Sequence, residues 1–149
     1  MSEKILIVYY SRTGKAEIIA KDLQNKLGCD MDKIEYANKK RVSFIGAIFE
    51  AFKKKTIKIK GAVHSPVDYE KIIFITPIWA SAMSTPIRSY MAEHKTDIKS
   101  YSLIATCGSS EISDTLKDAV NVMQKEPVVS ERYTDKQIVA GDYDLSKFL

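Results

Sequence analysis

The sequence predicts an α/β domain spanning residues 1–149, with a five-stranded parallel sheet covered by helices on both faces. Two observations carry this. Residues 4–10, 71–76 and 101–106 are largely apolar, rich in β-branched and aromatic side chains, and lack polar alternation. Strands covered on both sides have that composition. Between them the apolar residues recur at helical spacing, and strands alternating with helices feed a parallel sheet.

The elements follow in order. Residues 4–10 form the first buried strand and run into the turn-forming Ser11-Arg12-Thr13-Gly14. Ala16, Ile19, Ala20, Leu23 and Leu27 then mark one stripe of a helix, with Gly28 as its C-cap. Residues 29–35 are polar enough for an edge strand. Ile45, Ile48, Phe49 and Phe52 repeat at helical spacing inside a lysine-rich segment. Residues 71–76 make the second buried strand. Ser84-Thr85-Pro86 opens a helix that runs to about His94. Residues 101–106 are the third buried strand. Ile112, Leu116, Ala119, Val120 and Met123 mark a further helix, stopped before Pro127. Residues 128–133 form a short last strand, and residues 142–149 allow about two turns of helix.

Composition excludes several classes. Cys29 and Cys107 are too few and too far apart for a zinc site or a disulfide framework, so both read as reduced thiols. The N-terminus lacks the basic region and apolar core of a secretory signal. The longest apolar run, residues 5–10, is far below the ~20 residues needed to span a bilayer. A cytoplasmic protein with no membrane span is expected. The net charge of +4 is uneven: residues 39–60 hold eight bases and one acid, leaving −3 on the rest. That segment reads either as a solvated lysine face or as a field that steers an acidic or phosphorylated partner. Nucleic acid is disfavoured, because aromatic residues are not expected to interleave with the lysines on that surface and no recognised binding motif is present.

Three loops follow the buried strands, at the carboxyl end where ligands bind in such sheets. The first is Ser11-Arg12-Thr13-Gly14-Lys15-Ala16. Backbone amides at a helix start, with two hydroxyls and a glycine, can cradle an anion. It is neither a P-loop nor a dinucleotide fingerprint, since GxxxxGK[ST] and GxGxxG are both absent. Taken alone, it reads first as an ordinary strand-to-helix turn. The second, Thr76-Pro77-Ile78-Trp79-Ala80, sets the only tryptophan beyond a strand, either against a planar ligand or packed as core. The third, Thr106-Cys107-Gly108-Ser109-Ser110, offers backbone amides and room for the edge of a flat ring, or is a plain helix-capping turn.

Together these stretches resemble the flavodoxin-like FMN-binding proteins. The resemblance rests on residues 5–14 (ILIVYYSRTG), on 74–80 (FITPIWA) and on Pro86-Ile87-Arg88, and it extends over nearly the whole chain. It implies a doubly wound, three-layer flavodoxin-like fold with strand order 2-1-3-4-5 and FMN as cofactor. It implies a phosphate site at Ser11, Arg12, Thr13, Gly14, Lys15 and Ala16, where Ala16 stands in place of the motif's last hydroxyl. It implies ring contacts from Pro77, Ile78, Trp79 and Ala80 on one face, and from Thr106, Cys107, Gly108 and Ser109 along the other edge. No catalytic side chain and no metal are implied, because the flavin does the chemistry. His64 and His94 fall outside the three loops and are expected in surface or satisfied roles.

Two functions fit that resemblance: electron carriage in the manner of a flavodoxin, and NAD(P)H-dependent reduction of quinones or flavins. The third loop lacks the tyrosine that many carriers hold over the ring, and the chain is basic where carriers are acidic. The missing tyrosine favours an open flavin face, and the basic charge disfavours a carrier that docks through acidic residues. A flavin-free binding module is the third reading. The expected partners are a redox protein or a small electron acceptor. A homodimer is also expected, on the argument that a short terminal helix leaves sheet surface bare.

Overall fold

The computed structural model describes residues 3–37, Gly46 and residues 56–149. Strand β1 (Ile5–Tyr9) leads into α1 (Lys15–Leu27), β2 (Asp30–Lys33) and the short β3 (Glu35–Tyr36). After the short β4 (Ile59–Lys60) come β5 (Lys71–Trp79), β6 (Ala82–Met83) and α2 (Thr85–His94). The chain then forms β7 (Tyr101–Cys107), α3 (Ser113–Met123), β8 (Ser130–Thr134) and α4 (Asp135–Ala140). Two 3-10 turns, Pro66–Asp68 and Ser146–Phe148, complete the elements.

The main sheet runs β2-β1-β5-β7-β8, with every neighbouring pair parallel. Counting the parallel strands alone, this is the expected 2-1-3-4-5 order, with β2 at an edge. Side chains alternate across each strand. Leu6, Val8, Ile72, Phe74, Tyr101 and Leu103 pack on one face with Ile87, Tyr90 and Met91 of α2 and Ala119 and Met123 of α3. Ile7, Tyr9, Ile73, Ile75 and Ile104 pack on the other with Ile19, Ala20 and Leu23 of α1. Both faces are therefore apolar, which is why the strand sequences show no alternation.

Four expectations are corrected. The edge strand of residues 29–35 divides at Ile34: β1 ends at Tyr9, so β3 turns away and pairs antiparallel with β4. The strand expected to stop at residue 76 continues to Trp79, because β6 folds back and supplies partners for Ile78 and Trp79. The terminal helix expected over residues 142–149 is only the 3-10 turn Ser146–Phe148. A helix stands instead at 135–140, started by a capping box of Thr134 and Gln137 and ended at Gly141. Nor does the short C-terminal segment leave the α1 face bare: Ile138, Leu145 and Phe148 are buried against it. That removes the physical motive for a dimer through this face. The helix expected around residues 45–52, with most of the basic segment, lies outside the described residues.

Among the described residues, no helix is long and apolar enough to cross a membrane. The two histidines meet their expectation. His64 Nδ1 lies 2.7 Å from Asp32 Oδ1, and the His64 amide donates to Asp32 Oδ2 at 3.0 Å. The His94 ring lies 4.5 Å from the ring of Tyr90.

Candidate functional site

From β1 the chain moves outward to β2 and then returns to the other side of β1 as β5. The strand order therefore reverses between β1 and β5, and a crevice opens beyond their carboxyl ends. Register brings two further strand ends, those of β7 and β8, to the same place. Tyr9 pairs with Ile75, Thr106 with Pro77, and Cys107 with Thr134.

The cleft there is lined by Ser11, Arg12, Thr13 and Ala16 from the first loop and Pro77, Ile78 and Trp79 from β5. Thr106, Cys107, Gly108 and Asp135 complete it. Its volume is about 180 Å³. Ligand pockets commonly enclose roughly 300–1,000 Å³, so the described residues form a groove that holds part of a cofactor-sized molecule.

The first loop is built around one hydroxyl. Ser11 Oγ accepts the amide of Gly14 at 3.0 Å and that of Glu17 at 3.3 Å, satisfying two donors at the start of α1. Gly14 has a φ of 95°, a left-handed conformation that favours glycine, and a Cβ there would meet nothing within 4 Å. Ser11 is thus a structural cap, and Thr13 is the exposed hydroxyl beside it. Tyr9, the last residue of β1, donates its phenol to Glu17 Oε1 at 2.8 Å. That bond, with Lys33 Nζ 3.1 Å away, holds the Glu17 carboxyl below its ordinary range.

The second wall is a hairpin. Ile78 pairs with Met83 and Trp79 with Ala82, around a two-residue turn. Trp79 is 5% exposed, and its ring meets that of Tyr10 edge-on at 5.4 Å. It lines the cleft and also belongs to the core cluster. Thr76 Oγ1 accepts from the Ser84 amide at 3.0 Å and donates to Ser84 Oγ at 2.8 Å, closing the base of the hairpin.

The third wall is tied down at Ser110. Its carbonyl accepts from Arg132 Nη1 at 2.8 Å and from Cys107 Sγ at 3.3 Å. Burial pushes the Cys107 thiol up, and the neighbouring Arg132 only partly opposes this. A thiol so held is a poor nucleophile near neutral pH.

Four of the expected residues are not part of the cleft lining. Gly14 turns the chain, Lys15 begins α1, Ala80 is in the hairpin turn, and Ser109 is exposed beyond β7. Asp135 lines the cleft and was not among those read from the sequence. Its signal was available, since Thr134-Asp135-Lys136-Gln137 following a strand is a capping box that points an acidic first turn toward the sheet's carboxyl end.

No family model matches the chain, and no curated protein matches it. Solved structures do. A flavoprotein in complex with FMN from Lactobacillus acidophilus NCFM superposes with a TM-score of 0.79 at 15% identity, over 93% of this chain and 98% of that one. A protein from Bacteroides eggerthii DSM 20697 assigned as a flavoprotein gives 0.77 at 20% identity, over 94% and 96%. An NADH:FMN oxidoreductase in its apo form gives 0.59 at 16% identity, over 96% and 81%. Likeness at these identities establishes the fold, which is flavodoxin-like.

Proposed function

We propose that this chain binds FMN in the cleft at the carboxyl end of its sheet and works as a redox protein. The observation that carries this is the meeting, at the point of strand reversal, of a glycine-turned helix start with a tryptophan-bearing wall. A phosphate fits the first: the amides opening α1 face an anion favourably, and Arg12 and Lys15 add positive charge. Ser11 Oγ is already committed to Gly14 and Glu17, so Thr13 supplies the hydroxyl. A planar ring fits the second, along Ile78 and Trp79, with Cys107 and Gly108 at its edge. FMN supplies the electron chemistry when bound. The protein orients it, excludes water from one face and provides no strong acid or base.

Electron carriage between redox partners is the first reading. Reduction of a small acceptor such as a quinone, with NAD(P)H as donor, is the second. The absence of a tyrosine between Thr106 and Ser110 favours the second, because a ring left uncovered by this loop is open to a small substrate. The likeness to an NADH:FMN oxidoreductase agrees with it.

The test is an absorbance spectrum of the purified protein, titration of the flavin-free chain with FMN, and NAD(P)H-dependent quinone turnover. FMN binding with direct turnover is the result expected of a reductase. FMN binding without it, but with rapid reduction by a separate reductase, is expected of a carrier. A chain that takes no FMN would overturn both and leave a binding module.

A further inference from the structure

The hairpin beside the cleft is held in a conformation its sequence does not favour. Ala80 and Ser81 both have positive φ, 50° and 64°. This is the pattern of a type I′ turn, in which Asn and Gly are the usual occupants. A Cβ disfavours that region, and the strain persists only where the surroundings over-determine it.

The restraint comes from α3. Thr115 and Asp118 lie three residues apart, on one face of the helix. Thr115 Oγ1 donates to the Ser81 carbonyl at 3.0 Å. Asp118 Oδ2 accepts the Met83 amide at 3.0 Å. One helix thus grips the turn on its carbonyl side and the returning strand on its amide side. Both side chains are buried, at 0% and 2% exposure. Asp118 is neutralised by Arg88 Nη2 of α2, which is equally buried. Among the described residues Arg88 Nε and Nη1 have no hydrogen-bond partner, and Asp118 is the side chain that receives this guanidinium. A buried ion pair is weak evidence of stability, because apolar residues of similar volume often serve as well. Here the pair holds a backbone amide in place.

We propose that Thr115 and Asp118 are positioning residues for the cofactor wall: they preform the hairpin that presents Ile78 and Trp79 to the flavin. This deepens the function proposed above and rests on it. Neither residue touches the ligand; both act through the hairpin backbone.

The test uses Thr115→Val, which keeps shape and removes the hydroxyl, with Thr115→Ser as the rescue. Asp118 is left intact, because removing it strands a buried Arg88. Thr115→Val is expected to lower FMN affinity about tenfold and to shift the flavin midpoint potential, with Thr115→Ser restoring both. In the flavin-free chain, amide exchange at Ala82 and Met83 is expected to quicken about tenfold while β7 amides stay unchanged. Faster exchange with unchanged FMN affinity and potential would overturn the positioning role. Unchanged exchange would overturn the clamp itself. Should the wild-type chain take no FMN, the function proposed above fails and the clamp is judged on exchange alone.

Discussion

Tyr9 and Glu17 show how one side chain couples the end of β1 to the start of α1. The phenol donates to the carboxylate, and Lys33 reaches the same oxygen. The Glu17 carboxyl therefore titrates below its ordinary value, and the buried Tyr9 phenol well above its own. The sign for stability follows: the Glu17 contribution is present above the unfolded carboxyl pKa and is lost as pH falls through the lower folded value. Tyr9→Phe is expected to move the Glu17 titration up toward its ordinary range and to shrink this acid-side loss, as an NMR titration of the carboxyl would read. An unmoved titration would assign the shift to Lys33. Thr13 belongs to the same scale. If its hydroxyl holds the phosphate, Thr13→Val should cost roughly 1.5–3 kcal/mol of FMN binding, a charged hydrogen bond lost. Titration of the flavin-free protein measures it, and equal affinity in the two proteins would leave the anion to the backbone amides.

Among elements, the edge of the sheet depends on one close approach. A Cβ at Gly61 would sit 1.9 Å from the Lys33 carbonyl oxygen, and the residue's φ is 100°. Backbone cannot yield to that contact as a flexible side chain could. The approach lets β4 pair with β3 and brings His64 onto the buried Asp32. Gly61→Ala is expected to cost roughly 2–4 kcal/mol from overpacking and strain, read as a lower denaturant midpoint at unchanged slope. A midpoint equal to wild type would show that the edge accommodates a wider separation. The hairpin and α4 make a related point about sequence. Positive φ at Ala80 and Ser81 is invisible in residue types that seldom adopt it, whereas the 134–137 capping box is a pattern in the sequence that could have placed α4, where the helix was expected over 142–149 instead.

Across the whole molecule, the C-terminal segment completes a layer. Phe148 is 2% exposed and Leu145 3%, both in the cluster that joins β1, β5 and α1. Phe148→Ala should therefore cost about 3–5 kcal/mol, the range for a large aromatic removed from a core, and lower the Tm accordingly. A change of only a few tenths would mean that the terminal turn adds little to this face, and the argument for a bare apolar surface would return. The fold was legible because each buried strand carries unbroken apolar character and each intervening helix a clear stripe, local patterns that survive any tertiary arrangement. The loops of the site were legible for a related reason: in a parallel sheet, every strand-to-helix loop emerges at the same end. Sequence by itself thus determined the α/β class, the edge position of β2 and the three segments, starting at Ser11, Thr76 and Thr106, that meet at the cleft. Tertiary structure alone decided that Trp79 serves core and cleft together, that Asp135 joins the lining, and that α3 grips the hairpin. Those are contacts between residues distant along the chain, set by packing and by hydrogen bonds that neither periodicity nor composition encodes.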